Sequence, residues 1–458
     1  MKWVTNSNQP DAQIGIFEKL AFMSGNVGSA LVNTIVASFI VYYYTDIMLL
    51  NPAIIGVIML VSRIFDGITD LIMGYIVDHT HSKHGKGRVW ILRMCVPYAV
   101  SAILMMSVPV DSAEWIKYVF IFITYNLCNS VFFTGLYVPY STLTVTMTRN
   151  PYERGLLGTF VTYGAVIGTI IIQSTIISFT TALGGTPAAW QKAVIVYALI
   201  GLLLHLCCFF FIRERINDAT DSNSKPKRVQ LKQELKAIFS NKYWLMAISA
   251  TFMTLFYVGL LNGSGIYYAK VIFGNADQYA IFSNAMLLSQ IAAMFLVFIP
   301  MKKFGKRKTM IAGFVTIAVA SGIQFFVGAS LPITVALSII KGAGGALCGA
   351  VMYGVVADTI DYGEWKTGIN SSGIGMAAVS FVTKLSGGLA GFMIGLMMKL
   401  GDYNPQNALQ LDGAIFSIKF TFALAPMISC IVAAIIMLFY DLEKIFPQIQ
   451  KELDERRN

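Results

Sequence analysis

Residues 193–212 read AVIVYALIGLLLHLCCFFFI, a run of 20 positions without Lys, Arg, Asp or Glu. A helix of about 20 apolar residues matches the thickness of the hydrocarbon core of a bilayer. A surface helix of a soluble protein keeps one polar face, and this run has none. The segment therefore predicts a helix that crosses a membrane.

Comparable apolar runs follow one another along the whole chain. Hydrophobic residues make up 56% of the 458 positions and charged residues only 13%, about half of the roughly 25% that is typical of soluble proteins. Lipid rather than water is therefore expected to cover most of the surface. The runs predict an all-α membrane protein with twelve transmembrane helices, near residues 20–45, 52–77, 89–110, 114–146, 156–184, 189–212, 243–269, 277–300, 309–329, 331–357, 373–400 and 415–440.

Basic residues indicate how these spans are oriented, because they concentrate in alternate loops. The positive-inside rule assigns the basic loops and both chain termini to the cytoplasm, which predicts a multi-pass protein of the plasma or inner membrane. The net charge of +10 then serves orientation and contact with anionic lipid rather than binding of nucleic acid. The basic loops hold Lys83, Lys86, Arg88, Arg149, Arg154, Arg213, Arg215, Lys225, Lys227, Arg228, Lys232, Lys236, Lys302, Lys303, Lys306, Arg307, Lys308 and Lys366.

Two of the basic loops share a pattern. KHGKGR at 83–88 follows the second span, and KFGKRK at 303–308 follows the eighth. Each comes after the second helix of a six-helix half, which predicts a transporter of two halves with its substrate site at the midplane. The predicted parts are an N-terminal half over 1–212, a cytoplasmic linker over 213–242, a C-terminal half over 243–440 and a cytoplasmic tail over 441–458.

The cysteines and histidines give no sign of a metal site or a disulfide framework. All six cysteines lie inside apolar runs, without the spacing of metal ligands. Three histidines cluster at 79–84 among lysines, which favours a solvated loop over a metal site. The sequence shows no nucleophile–base pair either, so we expect neither an enzyme nor a bound cofactor.

The second span carries ionisable residues in its interior, where such groups are expensive. Asp66 and Asp70 lie four residues apart on one helix face, with Arg63 three residues earlier. Asp66 lies about 18 Å from the end of the span at Asp78, near the middle of the bilayer. Two close carboxylates repel unless a cation or a proton lies between them. The pattern favours a cation site, with a static Arg–Asp pair as the alternative.

Two lysines lie inside later spans. Lys384 in the eleventh span is expected to bind substrate or to pair with an acid of the other half. Lys341 in the tenth span leaves two interpretations open: it binds substrate, or it snorkels to the interface or begins its helix. Lys341 lies about 25 Å from the cytoplasmic end of the span, in the outer half of the membrane. If it binds substrate there, its positive charge favours an anionic sugar such as a hexuronide.

An acidic cluster of Asp358, Asp361 and Glu364 follows the tenth span, on the predicted cytoplasmic side. Dense acidic charge on the positive side of a membrane is unusual. It favours an inner gate that pairs with Arg149 or Arg154 of the first half, and an ordinary solvated loop is the alternative.

Uncharged polar and aromatic side chains lie in other spans. Asn26 and Asn33 share one face of the first span, and Thr134 and Tyr137 lie along the fourth. Amides, hydroxyls and aromatic rings suit a sugar, which presents hydroxyl edges and apolar ring faces. Contacts that hold helices together are the alternative for each residue.

Several motifs together resemble the glycoside–pentoside–hexuronide:cation symporters, the major-facilitator branch that includes the melibiose carrier. The match covers nearly the whole chain, and its most specific part is ADTIDYGE at 357–364. The other matching stretches are YYYTD at 42–46, RIFD at 63–66, GK at 85–86, VPY at 138–140 and Arg154.

The resemblance implies a major facilitator fold and roles for particular residues. In this family the aspartates that match Asp66 and Asp70 coordinate the coupling cation, with a threonine that matches Thr134 nearby. The lysine that matches Lys384 links the cation and sugar regions. The acidic cluster and an arginine of the 4–5 loop belong to the inner gate.

The chain departs from the melibiose carrier where that carrier holds its sugar. Its two sugar-holding aspartates fall at Ala30 and Tyr137, its sugar-stacking tryptophan at Ser141 and its sugar-side arginine at about Val161. An asparagine between the cation aspartates falls at Thr69. The galactoside-binding set is therefore absent, and the pattern looks more like the pentoside and hexuronide members.

These observations predict a secondary active symporter that imports a glycoside, pentoside or hexuronide together with Na⁺ or H⁺, by alternating access. Its expected partners are the sugar, the coupling ion and the lipid bilayer. The same fold carrying a lipid-like or other non-sugar solute is the alternative, and a membrane-embedded enzyme or a passive channel is a further one.

Overall fold

The computed structural model describes residues 13–80, 82–83, 85–216, 231–369, 372–407 and 409–457. Every regular element within these residues is a helix. The backbone contacts divide the chain into two compact units, Met1–Ser224 and Lys225–Asn458.

The first unit has six long helices in its described residues. Two of them contain π-helical turns, at Ile35–Phe39 and Tyr43–Ile47 in the first helix and at Leu127–Phe133 in the fourth. The helices are α1 (Ile16–Ile47), α2 (Pro52–Asp78), α3 (Arg88–Met105), α4 (Glu114–Thr146), α5 (Pro151–Ala182) and α6 (Pro187–Phe211).

The second unit has eight helices in its described residues. Two of them, α7 and α14, lie in the segments predicted as the linker and the tail. The helices are α7 (Leu231–Phe239), α8 (Lys242–Ile272), α9 (Gln278–Met294), α10 (Phe298–Phe326), α11 (Leu331–Thr367), α12 (Ser372–Leu400), α13 (Asp412–Leu438) and α14 (Leu442–Arg457).

Ten of these helices are long and apolar enough to cross a membrane, counted over the described residues. The other two predicted spans correspond to α2 and α9. α2 has 27 residues but carries Arg63, Asp66 and Asp70 in its interior. α9 is apolar but has only 17 residues, so it is shorter than the predicted span and than the roughly 20 residues of a full crossing.

Side-chain caps fix where several helices begin. Asn51, Asn150 and Asn241 each accept at least one hydrogen bond from a backbone N–H group in the first turn of α2, α5 and α8, respectively. These N–H groups have no acceptor within the helix, so the asparagine side chains stabilise the helix starts. α2 and α8 begin within one residue of their predicted positions.

α10 begins earlier than predicted, at Phe298 instead of near residue 309. A short helical segment precedes Gly305, whose φ of 81° and ψ of 172° interrupt the helix. Residues with a side chain rarely adopt that conformation, so glycine is required at this bend. The basic sequence at 303–308 therefore forms a bend between two helical segments.

One carboxylate holds the turn before α3. Glu214, just beyond the end of α6, accepts hydrogen bonds from the backbone N–H groups of Lys86 (3.0 Å), Gly87 (2.9 Å) and Arg88 (2.6 Å). The first N–H groups of a helix have no intrahelical acceptor, and a carboxylate there also suits the helix dipole. Arg88 in turn donates to the carbonyl oxygen of Phe209 on α6.

The second unit repeats this arrangement at α10. Glu443, just beyond α13, accepts hydrogen bonds from the backbone N–H groups of Lys306 (2.7 Å) and Arg307 (3.1 Å). The Arg307 side chain donates to the carbonyl oxygens of Met437 and Leu438 at the end of α13. The repeat in the sequence thus corresponds to a structural repeat that ties the third long helix of each unit to the sixth.

Glu214→Ala and Glu443→Ala are each expected to lower the unfolding temperature of the purified protein. Each change leaves backbone N–H groups without their charged acceptor, and hydrogen bonds to charged groups contribute about 1.5–3 kcal/mol. Thermal unfolding in detergent measures the effect, with Glu455→Ala as the control because Glu455 is exposed on α14. Unfolding temperatures equal to that of the control would contradict the role given to both carboxylates.

Candidate functional site

Three residues of α2 contact α4 on successive helical turns. Each partner on α4 lies 64 positions later in the chain. The contacts are side-chain hydrogen bonds between polar groups, and two of them involve the predicted cation aspartates. The pairs are Ser62 with Asn126 (2.8 Å), Asp66 with Ser130, and Asp70 with Thr134 (2.9 Å).

A spacing of four residues along both helices produces these contacts, because side chains at i and i+4 share one helix face. The α4 partners begin just before the π-helical segment Leu127–Phe133 and end just after it. π-helical turns are rare and occur frequently at functional sites. Thr134 lies beside Asp70, where the resemblance places it. Ser130 was not predicted, although it lies one turn before Thr134 on the same face.

The two aspartates differ in their surroundings. Asp66 is buried, with 2% of its surface exposed. Its Oδ1 atom contacts the Ser130 hydroxyl, and its Oδ2 atom lies 3.0 Å from Nη1 of Arg63. Asp70 is half-buried, and its Oδ1 atom accepts a hydrogen bond from the Thr134 hydroxyl.

We call Arg63, Asp66, Asp70, Ser130 and Thr134 the α2–α4 cluster. It contains two carboxylates, two hydroxyls and one guanidinium. Arg63 faces Asp66 and also lies over the ring of Tyr125, 5.9 Å from its centre. With both carboxylates ionised, the cluster carries one negative charge in excess. Hard cations prefer oxygen ligands, and the cluster presents carboxylate and hydroxyl oxygens on two adjacent helices.

The uncharged residues predicted to contact sugar have different surroundings in the first unit. Asn26 is buried, and its amide donates to the carbonyl oxygen of Val161 on α5 at 2.6 Å, a contact between helices. Asn33 is exposed on α1. Tyr137 is 38% exposed and stacks on Phe133, with ring centres 5.2 Å apart.

Of the two predicted gate arginines, Arg149 lies in the turn between α4 and α5, and Arg154 lies in the first turn of α5. Arg154 donates to the carbonyl oxygens of Thr148 (2.8 Å) and Val145 (3.1 Å), which satisfies acceptors at the end of α4. Arg149 is exposed. Their pairing with the acidic cluster of the second unit stays a prediction.

The acidic cluster lies on a helix, because α11 continues to Thr367, ten residues beyond the predicted end of the span. Asp358 pairs with Lys306 of α10, whose Nζ atom lies 2.8 Å from Oδ1 and 2.7 Å from Oδ2. Asp361 and Glu364 are half-buried on the following turns. The alternative of an ordinary solvated loop is therefore wrong for this segment.

Lys341 is buried in the interior of the second unit, with 2% of its surface exposed. Its Nζ atom lies 4.9 Å from the ring centre of Phe422 on α13 and has no hydrogen-bond acceptor among the described residues. α11 begins at Leu331, ten residues earlier. Lys341 therefore neither begins its helix nor snorkels to the interface in this structure.

The glycines that follow Lys341 allow close helix contacts. A Cβ atom on Gly342 would overlap the backbone of Met286 on α9, and one on Gly344 would lie 2.9 Å from the carbonyl oxygen of Gly313 on α10. Lys384 lies in the middle of α12 and is half-buried.

Comparison with known proteins identifies the class of this chain. The family described as MFS/sugar transport protein matches residues 21–444. The chain belongs to this family, which confirms the predicted resemblance, the all-helical transporter fold and transport across a membrane as the general activity.

Individual relatives share the whole length of the chain at modest identity. An isoprimeverose transporter of Lactiplantibacillus pentosus is 27% identical over 445 residues, covering 96% of this chain and 91% of that protein. A putative sulfoquinovose importer of Escherichia coli (strain K12) is 28% identical over 465 residues, covering 99% and 97%. A crystal structure of a D-xylose–proton symporter superimposes with a TM-score of 0.64 at 14% identity, covering 93% of this chain and 96% of that one, which shows the shared fold.

Lys341→Met is expected to raise the unfolding temperature of the purified protein. Methionine has a similar length and no charge. Burying an ammonium without an acceptor costs several kcal/mol. A contact between that ammonium and an aromatic ring stabilises it by only about 0.5–2 kcal/mol. Thermal unfolding measures the change, with Lys399→Met as the control because Lys399 is exposed at the end of α12. A lower unfolding temperature would mean that the ammonium has a stabilising partner.

Proposed function

We propose that this chain is a symporter that imports a glycoside, pentoside or hexuronide together with Na⁺ or H⁺, which binds at Asp66 and Asp70. The observation that carries the proposal is the α2–α4 cluster, where each aspartate has a hydroxyl partner on α4 and the guanidinium of Arg63 pairs with Asp66. The proposed activity is transport by alternating access, without a chemical step.

The charge of the cluster gives the coupling its physical basis. Asp66 and Asp70 lie one turn apart on α2, so their ionised carboxylates repel each other through a medium of low dielectric. A bound Na⁺ or proton would reduce that repulsion, and a Na⁺ would also connect α2 to the hydroxyls of Ser130 and Thr134 on α4. If the ion favours the conformation that binds sugar, the sugar must tighten ion binding by the same factor.

The α2–α4 cluster suits either ion. Na⁺ would take its ligands from the oxygens of Asp66, Asp70, Ser130 and Thr134. A proton would reside on one carboxylate and be shared with the other. Uptake of labelled sugars into proteoliposomes, with a Na⁺ gradient and a pH gradient applied separately, distinguishes the two.

The names of the relatives, an isoprimeverose transporter and a putative sulfoquinovose importer, support a saccharide as the substrate. Lys341 supports an acidic one. A carboxylate that reaches its ammonium would form a charge-assisted hydrogen bond that no described residue supplies to Nζ. The proposed substrate-binding residues are Asn26, Asn33, Tyr137, Lys341 and Lys384.

The protein is proposed to lie in the cell membrane with both termini in the cytoplasm. The basic loops support this orientation. On that side, the proposed inner gate consists of Arg149 and Arg154 of the first unit with Asp358, Asp361 and Glu364 of the second.

Asp66→Asn and Asp70→Asn are each expected to abolish accumulation of sugar against a gradient, because one carboxylate is not enough to hold the ion. Exchange of sugar at equal concentrations should persist at a reduced rate. Ser62→Ala is the matched control, since it removes the contact with α4 that involves no carboxylate. Full accumulation in both aspartate variants would exclude the α2–α4 cluster as the ion site.

Lys341→Gln is expected to raise the KM for a uronide about tenfold or more and to change the KM for its neutral parent sugar little. A hydrogen bond between charged groups contributes about 1.5–3 kcal/mol, and about 1.4 kcal/mol corresponds to a factor of ten. Lys384→Gln serves as the comparison and is expected to impair transport of both sugars. Equal effects of Lys341→Gln on both sugars would show that the substrate need not be acidic.

A further inference from the structure

A long apolar groove runs along the outside of the second unit, between α10 and α13. Its volume is about 680 Å³, and all of its lining residues are apolar. The floor is formed by buried residues such as Phe314 and Cys430, whereas Val319 and Phe326 on the rim are 57% and 85% exposed. An apolar groove of this kind does not hold water, so its occupant must itself be apolar.

The groove has a basic residue at one end. The rim of α10 follows Val315, Val319 and Phe326, and Lys308 lies on the same helical line because it precedes them by 7, 11 and 18 residues. Lys308 to Phe326 spans about 27 Å of helix. That exceeds the depth of one bilayer leaflet, which is half of about 30 Å.

Lys308 differs from the other charged groups at this end of the groove. Arg307 pairs with Asp441 at 2.8 Å, and Lys444 pairs with the same carboxylate at 3.1 Å. Glu443 accepts hydrogen bonds from backbone N–H groups at the bend within α10. Lys308 is exposed and makes no ion pair or hydrogen bond within the described residues, so its ammonium is available to an anion from the surrounding bilayer.

We infer that the groove between α10 and α13 binds one anionic phospholipid, with an acyl chain along the groove and the phosphate at Lys308. The apolar groove matches the acyl chain of such a lipid, and the ammonium of Lys308 at its end matches the phosphate. Basic side chains beside grooves between transmembrane helices are known to bind anionic head groups. The site is separate from the α2–α4 cluster and does not depend on the proposed substrate.

Native mass spectrometry of the full-length protein in detergent tests this inference by counting bound lipids. The probes are phosphatidylglycerol and phosphatidylcholine with identical acyl chains. Wild type is expected to bind one phosphatidylglycerol about fivefold more tightly than phosphatidylcholine, the preference that one lysine near a membrane surface provides. Lys308→Gln should remove that preference and leave phosphatidylcholine binding unchanged, and Lys308→Arg should retain it.

Val319→Trp tests the apolar part, because a large side chain on the exposed rim covers the groove without disturbing the buried floor. It is expected to weaken binding of both lipids. Two controls should match wild type: Val196→Trp on α6, which is also exposed, and Lys83→Gln in the equivalent basic loop of the first unit. Equal affinity of wild type for both lipids, or unchanged binding in Lys308→Gln and Val319→Trp, would overturn the inference. So would a dimer of wild type that Val319→Trp dissociates, because a second copy would then occupy the groove.

Discussion

The cost of an unpaired charge in hydrocarbon determines how this chain arranges its few ionisable residues. A charged side chain at the centre of a membrane helix costs about 2.5–3.5 kcal/mol on insertion scales, and more when it is isolated. In α2 that cost is reduced because Asp66 contacts both Arg63 and Ser130, and Asp70 contacts Thr134. These contacts fix the register of α2 against α4, so the same groups that form the proposed ion site also hold the two helices together.

A second constraint is that backbone N–H groups where a helical segment begins have no acceptor within the helix. Glu214 accepts hydrogen bonds from backbone N–H groups at the start of α3, and Glu443 accepts them from backbone N–H groups at the bend within α10. Each carboxylate lies just beyond the sixth long helix of its unit, so it joins two parts of that unit that are more than 100 residues apart in sequence. Arg88 and Arg307 complete the connection by donating to carbonyl oxygens at the end of that sixth helix. The two units thus repeat the same arrangement of a carboxylate and an arginine, and in each unit a glycine of positive φ precedes the N–H groups that the carboxylate accepts.

Local patterns were enough to predict the helices, but not the residues that each helix contacts. Apolar length gave the class of fold, and the spacing of Asp66 and Asp70 indicated a shared face. The partners on α4 lie 64 residues away, and no local periodicity connects two helices at that distance. Glu214 was missed for the same reason. The end of α11 was predicted too early because polarity suggested a loop, whereas the ion pair of Asp358 with Lys306 lets the helix continue to Thr367.

Lys341 differs from the charged residues of α2 because its Nζ atom has no acceptor among the described residues. Arg63, Asp66 and Asp70 of α2 have partners on their own or an adjacent helix, so stability explains their positions as well as the proposed function does. Lys341 is buried beside Phe422 and its Nζ atom has no acceptor among the described residues, while methionine or leucine would fill the same space at lower cost. We propose that a substrate bound by Lys341 during the transport cycle offsets this cost. Lys341 is therefore the position in the second unit where stability and transport are expected to oppose each other.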